Sequence, residues 1–438
     1  MIARLLTRAG LVTPEQRAWA WYDWANSAYF TTVITAVFPA FFTTYAASGF
    51  EPARATARFA AMSSLSVGIV AVLSPLLGAI ADYTGARKRL LAVFLVVGAS
   101  SCAAMAFIGE GQWQLAAALF VIGNVGVSAS LVFYDSLLPV VARPEETDRV
   151  SAAGYAWGYL GGGVLLLINL LWILQPATFG FASAASATKG AFVSVAIWWI
   201  VFAIPLFRRV PEPAGHFTGG RGVPATAVAG AFTRLAGTFR EIRRYRQAFL
   251  LLLAMLLYQD GIQTIIRMAS VYGAEVGIEQ TSQIAAFVMV QFLGIPFSFL
   301  FGRLGPRIGT RPALFIALAV YSLATVLGYF MTTAVHFFML AGLVGTVQGG
   351  SQALSRSLFS RLIPIDKTAE FFGFYAVVER FATMLGPIVF TISVALTGSS
   401  RSAVLAIMLF FIAGGALLWV VDEAAGVRAV RERARAEP

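Results

Sequence analysis

Seven ionisable side chains stand inside otherwise apolar stretches of the chain: Asp23, Asp135, Asp260, Arg267, Arg356, Glu379 and Arg380. A charge near the centre of a bilayer costs about 3 kcal/mol on insertion scales, so such groups pair, lose their charge or sit in water. Four acids against three bases leave one carboxylate without a fixed base. A carboxylate in poorly hydrated surroundings holds a proton more tightly, which is what a proton carrier requires. Asp260 and Asp23 are the candidates, Asp260 first because it falls well inside its helix. Arg267, two turns further on the same face, offers to hold Asp260 ionised instead, and both readings stay open.

These acids have hydrogen-bonding neighbours at helical spacing. Asp23-x-x-Asn26-Ser27 and Asp260-x-x-Gln263-Thr264 each place an acid, an amide and a hydroxyl at i, i+3 and i+4, which share one face of a helix. Tyr22, Trp24, Tyr258 and Gln259 flank them. A polar face on an apolar helix points into a bundle or a water-filled cavity, because lipid cannot satisfy it.

The elements that carry these residues are membrane helices. The 438 residues are 58% hydrophobic and 12% charged, where a soluble domain shows roughly 25% charged residues. The apolar blocks reach the roughly 20 residues that cross a bilayer. Twelve helices are expected, near 14–47, 59–81, 90–109, 113–141, 151–174 and 190–207, then 247–272, 282–302, 312–331, 335–362, 370–397 and 402–421. Thr13-Pro14-Glu15-Gln16 reads as a capping box that starts the first. The chain thus divides into an N-terminal six-helix half (1–207), a cytoplasmic linker (208–246), a C-terminal six-helix half (247–421) and a cytoplasmic tail (422–438). The linker ends in the basic run Arg240 to Arg246 and reads as a solvated connector.

The net charge of +11 is topological, and no nucleic-acid partner is expected. Arg54, Arg58, Lys189 and Arg401 fall on one side and Arg267, Arg356 and Arg380 within helices. The other 25 of the 32 Lys and Arg fall in the tails and the loops of the opposite side. That bias places both termini in the cytoplasm. Cys102 lies in an apolar helix and reads as packing. His216 and His336 are far apart, no metal cluster is present, and no cleaved signal peptide is expected.

A spacing repeats between the halves. Gly78, Asp82, Gly85 and Arg87 in GAIADYTGARKR recur as Gly302, Pro306, Gly309 and Arg311 in GRLGPRIGTR, two halves on one plan. The frame resembles the loop between the second and third helices of major facilitator transporters, repeated between the eighth and ninth. The resemblance implies a binding site at the midplane between the halves. It also implies that Asp82 rests against the positive start of the eleventh helix near Glu370 to Gly373. Gly78 would let the second and eleventh helices approach, as a conformational latch that includes Gly85 and Arg87. With Pro306 in the acid's place, the second latch is expected to be weaker or absent. Asp135 and Arg356 end the fourth and tenth helices, which approach each other in this architecture. They read either as a gate-closing salt bridge or as charges paired within their own halves. Glu379 and Arg380 are grouped with these conformational charges. Gly154, Gly158 and Gly162 read as helix packing. Their spacing resembles the motif of drug/proton antiporters, with Tyr159 where a proline belongs.

YDWANSAY (Tyr22 to Tyr29), QALSRSLFSRLIP (Gln352 to Pro364) and EFFGFY (Glu370 to Tyr375) are more specific. They resemble the "unknown major facilitator" family, bacterial relatives of the autophagy-related vacuolar amino-acid effluxers. The resemblance implies an all-α polytopic secondary transporter of the inner membrane, working as a monomer without cofactor; the unpaired acid and the antiporter-like spacing add the proton as coupling ion and a lean to export. For an amino acid, Asp23 or Asp260 would take the ammonium, and Arg267, Asn26, Gln259 and Gln263 the carboxylate. A phosphorylated solute needs clustered bases, and only Arg267 is expected near the midplane. A lipid or amphiphile flippase on the same fold is the alternative. An intramembrane aspartyl enzyme would need a G-x-G-D segment, which neither Asp135 nor Asp260 has.

Overall fold

A computed structural model describes residues 7, 10–213, 242–382 and 385–436. The basic run from Arg240 begins outside the described residues, as does most of the linker.

The capping box at Thr13 forms: Gln16 N donates to Thr13 Oγ1 at 3.2 Å, and Gln16 Oε1 accepts from Thr13 N at 3.3 Å. It starts α1 (Pro14–Ala28), which continues in wide π-type turns over Tyr29–Val37 and Phe42–Ala46. The sequence explains the widening. The hydroxyls of Thr31, Thr35, Thr43 and Thr44 donate back to carbonyls of the preceding turn, which loosens a helix, and Pro39 supplies no N–H.

The first group of helices continues with α2 (Pro52–Thr84), α3 (Arg87–Ala104), α4 (Trp113–Ser136), α5 (Thr147–Leu174) and α6 (Ala184–Arg209). The second group holds α7 (Arg246–Glu275), α8 (Gln280–Ile308), α9 (Thr310–Tyr329), α10 (Ala334–Arg361), α11 (Thr368–Phe381), α12 (Leu385–Thr397), α13 (Ser400–Ala406) and α14 (Met408–Val420). A surface helix, α15 (Glu423–Ala436), follows. Among the described residues, ten helices are long and apolar enough to cross a membrane. The serine- and arginine-bearing α10 and the pair α11 and α12 are not in that number.

Buried apolar side chains form two main clusters, one drawn from Leu11 to Val210 with Ala369, the other from Ile242 to Val421. The two groups meet where α2 packs on α11 and where α5 packs on α8 and α10. The joint begins at the end of the bundle that carries Pro14 and Glu423, here the terminal end, and along α5 and α8 it runs from Ala152 against Gly302 to Gly163 against Phe292.

The structure corrects two boundaries that matter. GAIADYT is not a link between helices; it is the last turns of α2, and only Gly85 and Ala86 separate α2 from α3. Gly85 (φ 61°) and Gly309 (φ 94°) end their helices in the left-handed region, which glycine adopts without the Cβ clash. The expected single helix over 370–397 is broken after Phe381, and α12 restarts at Leu385. Pro387 falls at the third position of α12, inside the first turn, where no intrahelical N–H is needed.

Candidate functional site

Arg356 sits on α10 and is 1% exposed, with its guanidinium inside the first group of helices. Nη1 donates to Asp135 Oδ1 at 2.9 Å and Nη2 reaches Asp23 Oδ2 at 3.4 Å. Nε donates to Ser151 Oγ at 2.9 Å and Nη2 to the Ser151 carbonyl at 3.0 Å. Tyr155 (4.3 Å) and Trp19 (4.8 Å) place their rings against the cation. Tyr134 donates its hydroxyl to Asp23 Oδ2 at 2.7 Å. A buried guanidinium is tolerated when its donors are matched and charge surrounds it, and α1, α4 and α5 supply that shell. The same three helices could not follow α10 if the groups swung apart.

Two further contacts close the terminal end. Asp82, on α2, accepts from Ala369 N (3.2 Å) and Glu370 N (2.7 Å), the exposed donors of the first turn of α11. Arg87 Nε donates to Asp82 at 2.8 Å, and its other nitrogens reach the carbonyls of Ser136 and Ile365. A Cβ on Gly78 would lie 2.1 Å from the Ala369 carbonyl oxygen, so glycine sets the α2–α11 approach.

The second contact corrects the expectation for Pro306. That latch is present with its acid on the opposite helix: Asp148, at the start of α5, accepts from Thr310 Oγ1 at 2.7 Å and from Ser357 Oγ, and pairs with Arg361 at 3.2 Å. Gly302 packs on Ala152 and Gly305 on Asp148. Arg361 also pairs with Glu423 at 3.0 Å, tying α15 to the joint. Burial pushes the Glu423 carboxyl above its ordinary value, against the opposing pull of Arg361. The sixth and last spans are held alike: Lys88 Nζ donates to the Val210 carbonyl at 2.6 Å, and Arg311 donates to that of Val421.

Asp260 is fully buried on α7 and caps α12. Oδ2 accepts from Leu385 N at 2.9 Å and Oδ1 from Gly386 N at 2.8 Å. The start of α12 carries partial positive charge, so the carboxylate has its partner there. Arg267 also lies within electrostatic reach of this carboxylate. α11 and α12 are thus each held at their first turn by a carboxylate, Asp82 from the first group and Asp260 from the second.

A family model described as "Vacuole effluxer Atg22 like" matches residues 52–431. An uncharacterized MFS-type transporter, YxiO, of Bacillus subtilis is 38% identical, over 94% of this chain and 95% of its own. The chain belongs to the Atg22-like family of major facilitator transporters. Autophagy-related protein 22 of Coccidioides immitis is 26% identical over 87% of this chain and 75% of its own. Among solved structures, the proton:xylose symporter XylE matches with a TM-score of 0.69 at 14% identity, over 94% of this chain and 96% of that one. The protein is therefore an integral membrane transporter and not an enzyme.

Within this Atg22-like chain, the expected polar pathway is only partly accessible. Tyr22, Asn26 and Gln259 are buried, with Tyr22 packed 4.8 Å from the Tyr134 ring. Gln263 is half-buried and Arg267 exposed. Thr264 donates to its own helix at Asp260 O. Arg380, half-buried on α11, donates to Ser128 Oγ of α4 at 2.6 Å and stands 6.0 Å from the Phe30 ring. It lies within electrostatic reach of Arg267. Gly154, Gly158 and Gly162 face α1, where Cβ atoms would meet Asp23, Ser27 and Thr31. Ser151, Tyr134 and Asp148 were not singled out by sequence. The serines look like small packing residues there, and Asp148 falls in an expected loop.

Proposed function

We propose that the protein is a proton-coupled secondary transporter that moves a small polar solute, with amino acids the leading class, by alternating access, and that it works towards export from the cytoplasm. The observation that carries this reading is Arg356 of one helix group held between Asp23 and Asp135 of the other. Opposite charges shared across two bodies make a joint that is firm when closed and separable when water enters. The latches at Asp82 and Asp148 reinforce the same end, which the charge bias makes cytoplasmic. The family's "vacuole effluxer" description supports solute transport, the antiporter-like spacing of Gly154, Gly158 and Gly162 supports export, and the proton:xylose symporter among the neighbours supports proton coupling. The separate charges of Glu379 and Arg380 and the amide of Gln263 offer opposite charges and hydrogen bonds to a zwitterion.

The test is counterflow. Vesicles holding the purified protein are loaded with unlabelled pooled amino acids and given the labelled pool outside. Transient accumulation of label, absent from protein-free vesicles, is expected. Its absence across the twenty amino acids would overturn the solute assignment.

A further inference from the structure

The carboxylates of Asp23, Asp135, Asp260 and Glu379 are not equally committed. Asp260 holds two backbone amides, Asp23 holds Tyr134 and Arg356, and Asp135 holds Arg356. Glu379 differs. It lies in the last turn of α11, just before the break, and is half-buried. Among the described residues no base comes within ion-pair distance of it. The Tyr375 hydroxyl, one turn earlier, is buried beside it and closes no hydrogen bond of ordinary geometry.

Its surroundings connect it to the joint. Arg380 and Tyr375 on its own helix and Arg356 on α10 lie within electrostatic reach of it. So do Asp135 on α4, Tyr155 on α5 and Tyr258 on α7. This cluster holds three acids (Asp23, Asp135, Glu379) and two bases (Arg356, Arg380). One proton makes it neutral. Arg356 and Glu379 also belong to the same helix group, whereas Asp23 and Asp135 belong to the other. An ionised Glu379 therefore offers Arg356 a carboxylate that moves with it.

We propose that Glu379 is the proton-binding group of the transport cycle: protonated while Arg356 joins the two helix groups, and, once ionised, the rival that draws Arg356 back into its own group and frees the terminal end. The proton leaves the carboxyl to water in the cleft, the cluster is left with one negative charge in excess, and as Arg356 turns to Glu379 water that enters the opening end solvates Asp23 and Asp135. This rests on the proton-coupled reading above and assigns its residue.

The test needs no solute. Spin labels at Glu145→Cys and Ile365→Cys, on exposed loops of opposite groups, in a Cys102→Ala background, report the distance across the terminal end in lipid vesicles. Raising the pH is expected to convert a short distance into a longer one, the ratio rising by up to about tenfold per pH unit for one proton released. Glu379→Gln is expected to keep the short distance at every pH, and Glu379→Asp to retain the transition at a shifted midpoint. An unaltered transition in Glu379→Gln, or none in the unsubstituted chain, would overturn the proposal. Because no amino acid is added, a failed counterflow assay has no bearing on the distances read here.

Discussion

Arg356 and Asp135 lie 221 residues apart in sequence and 2.9 Å apart in space, one on each side of the boundary between the helix groups. The pair is buried, so its value to the closed form depends on the match of both charges. Removing one partner of a buried pair leaves the other uncompensated, at about 3–5 kcal/mol.

That asymmetry predicts a rescue. Asp135→Arg and Arg356→Asp alone should each abolish counterflow and lower the thermal unfolding midpoint. The double variant should regain a measurable part of both. No recovery in the double variant would mean that the pair does not act as a unit.

Gly78 governs the neighbouring contact. A Cβ there meets the backbone of Ala369 and Glu370, which cannot rotate away. Gly78→Ala should therefore disfavour the closed end by about 1–3 kcal/mol, the usual cost of overpacking. A cysteine on the cleft side of the joint should label at least about fivefold faster. Gly68→Ala, also on α2 but with nothing within 4 Å of its Cβ, should leave the rate unchanged.

Asp260 should behave as a cap. Asp260→Ala removes both acceptors from the first turn of α12 and should cost about 1–2 kcal/mol of stability. Asp260→Asn keeps one acceptor and should lose less. Counterflow should survive in the Asn variant, read in the same vesicles. A folded Asn variant that still exchanges solute but moves no protons would place the proton on Asp260 after all.

The difference between these sites shows how far the residues speak for themselves. The repeat of Gly78 and Gly302 was visible because each glycine has one local duty that spacing reveals. The helix-start role of Asp82 followed from the major facilitator resemblance, and its hydrogen bonds to Ala369 and Glu370 match it. Asp148 was not visible as a latch. Its meaning depends on Thr310, Ser357 and Arg361, which come from distant helices, and an acid just ahead of an apolar run looks solvated. The break between α11 and α12 had a signal in Gly386-Pro387, but the carboxylate that stabilises it lies 125 residues earlier. Hydropathy reports burial and not partners, so the pairing of the charges had to come from the fold.

Glu423 gives a pH dependence. Burial holds its carboxyl above the ordinary range when α15 is docked, so the docked helix binds the proton more tightly than the free one. Its contribution to docking is then full below the free value, about 4.3, and is lost as pH rises through the docked value. The protection of α15 amides, taken relative to unstructured amides at the same pH, should fall across that window in the unsubstituted protein. Glu423→Gln should hold that protection constant. The side chain is 30% exposed, so the effect should be small.

The most direct measurement follows protons. Vesicles carrying a pH-sensitive dye inside are challenged with pooled amino acids, the unsubstituted protein beside Arg356→Asp. A solute-dependent change in internal pH that disappears in Arg356→Asp is the predicted result. An equal change in both would contradict the account, because solute and protons would then cross without the joint that Arg356 forms.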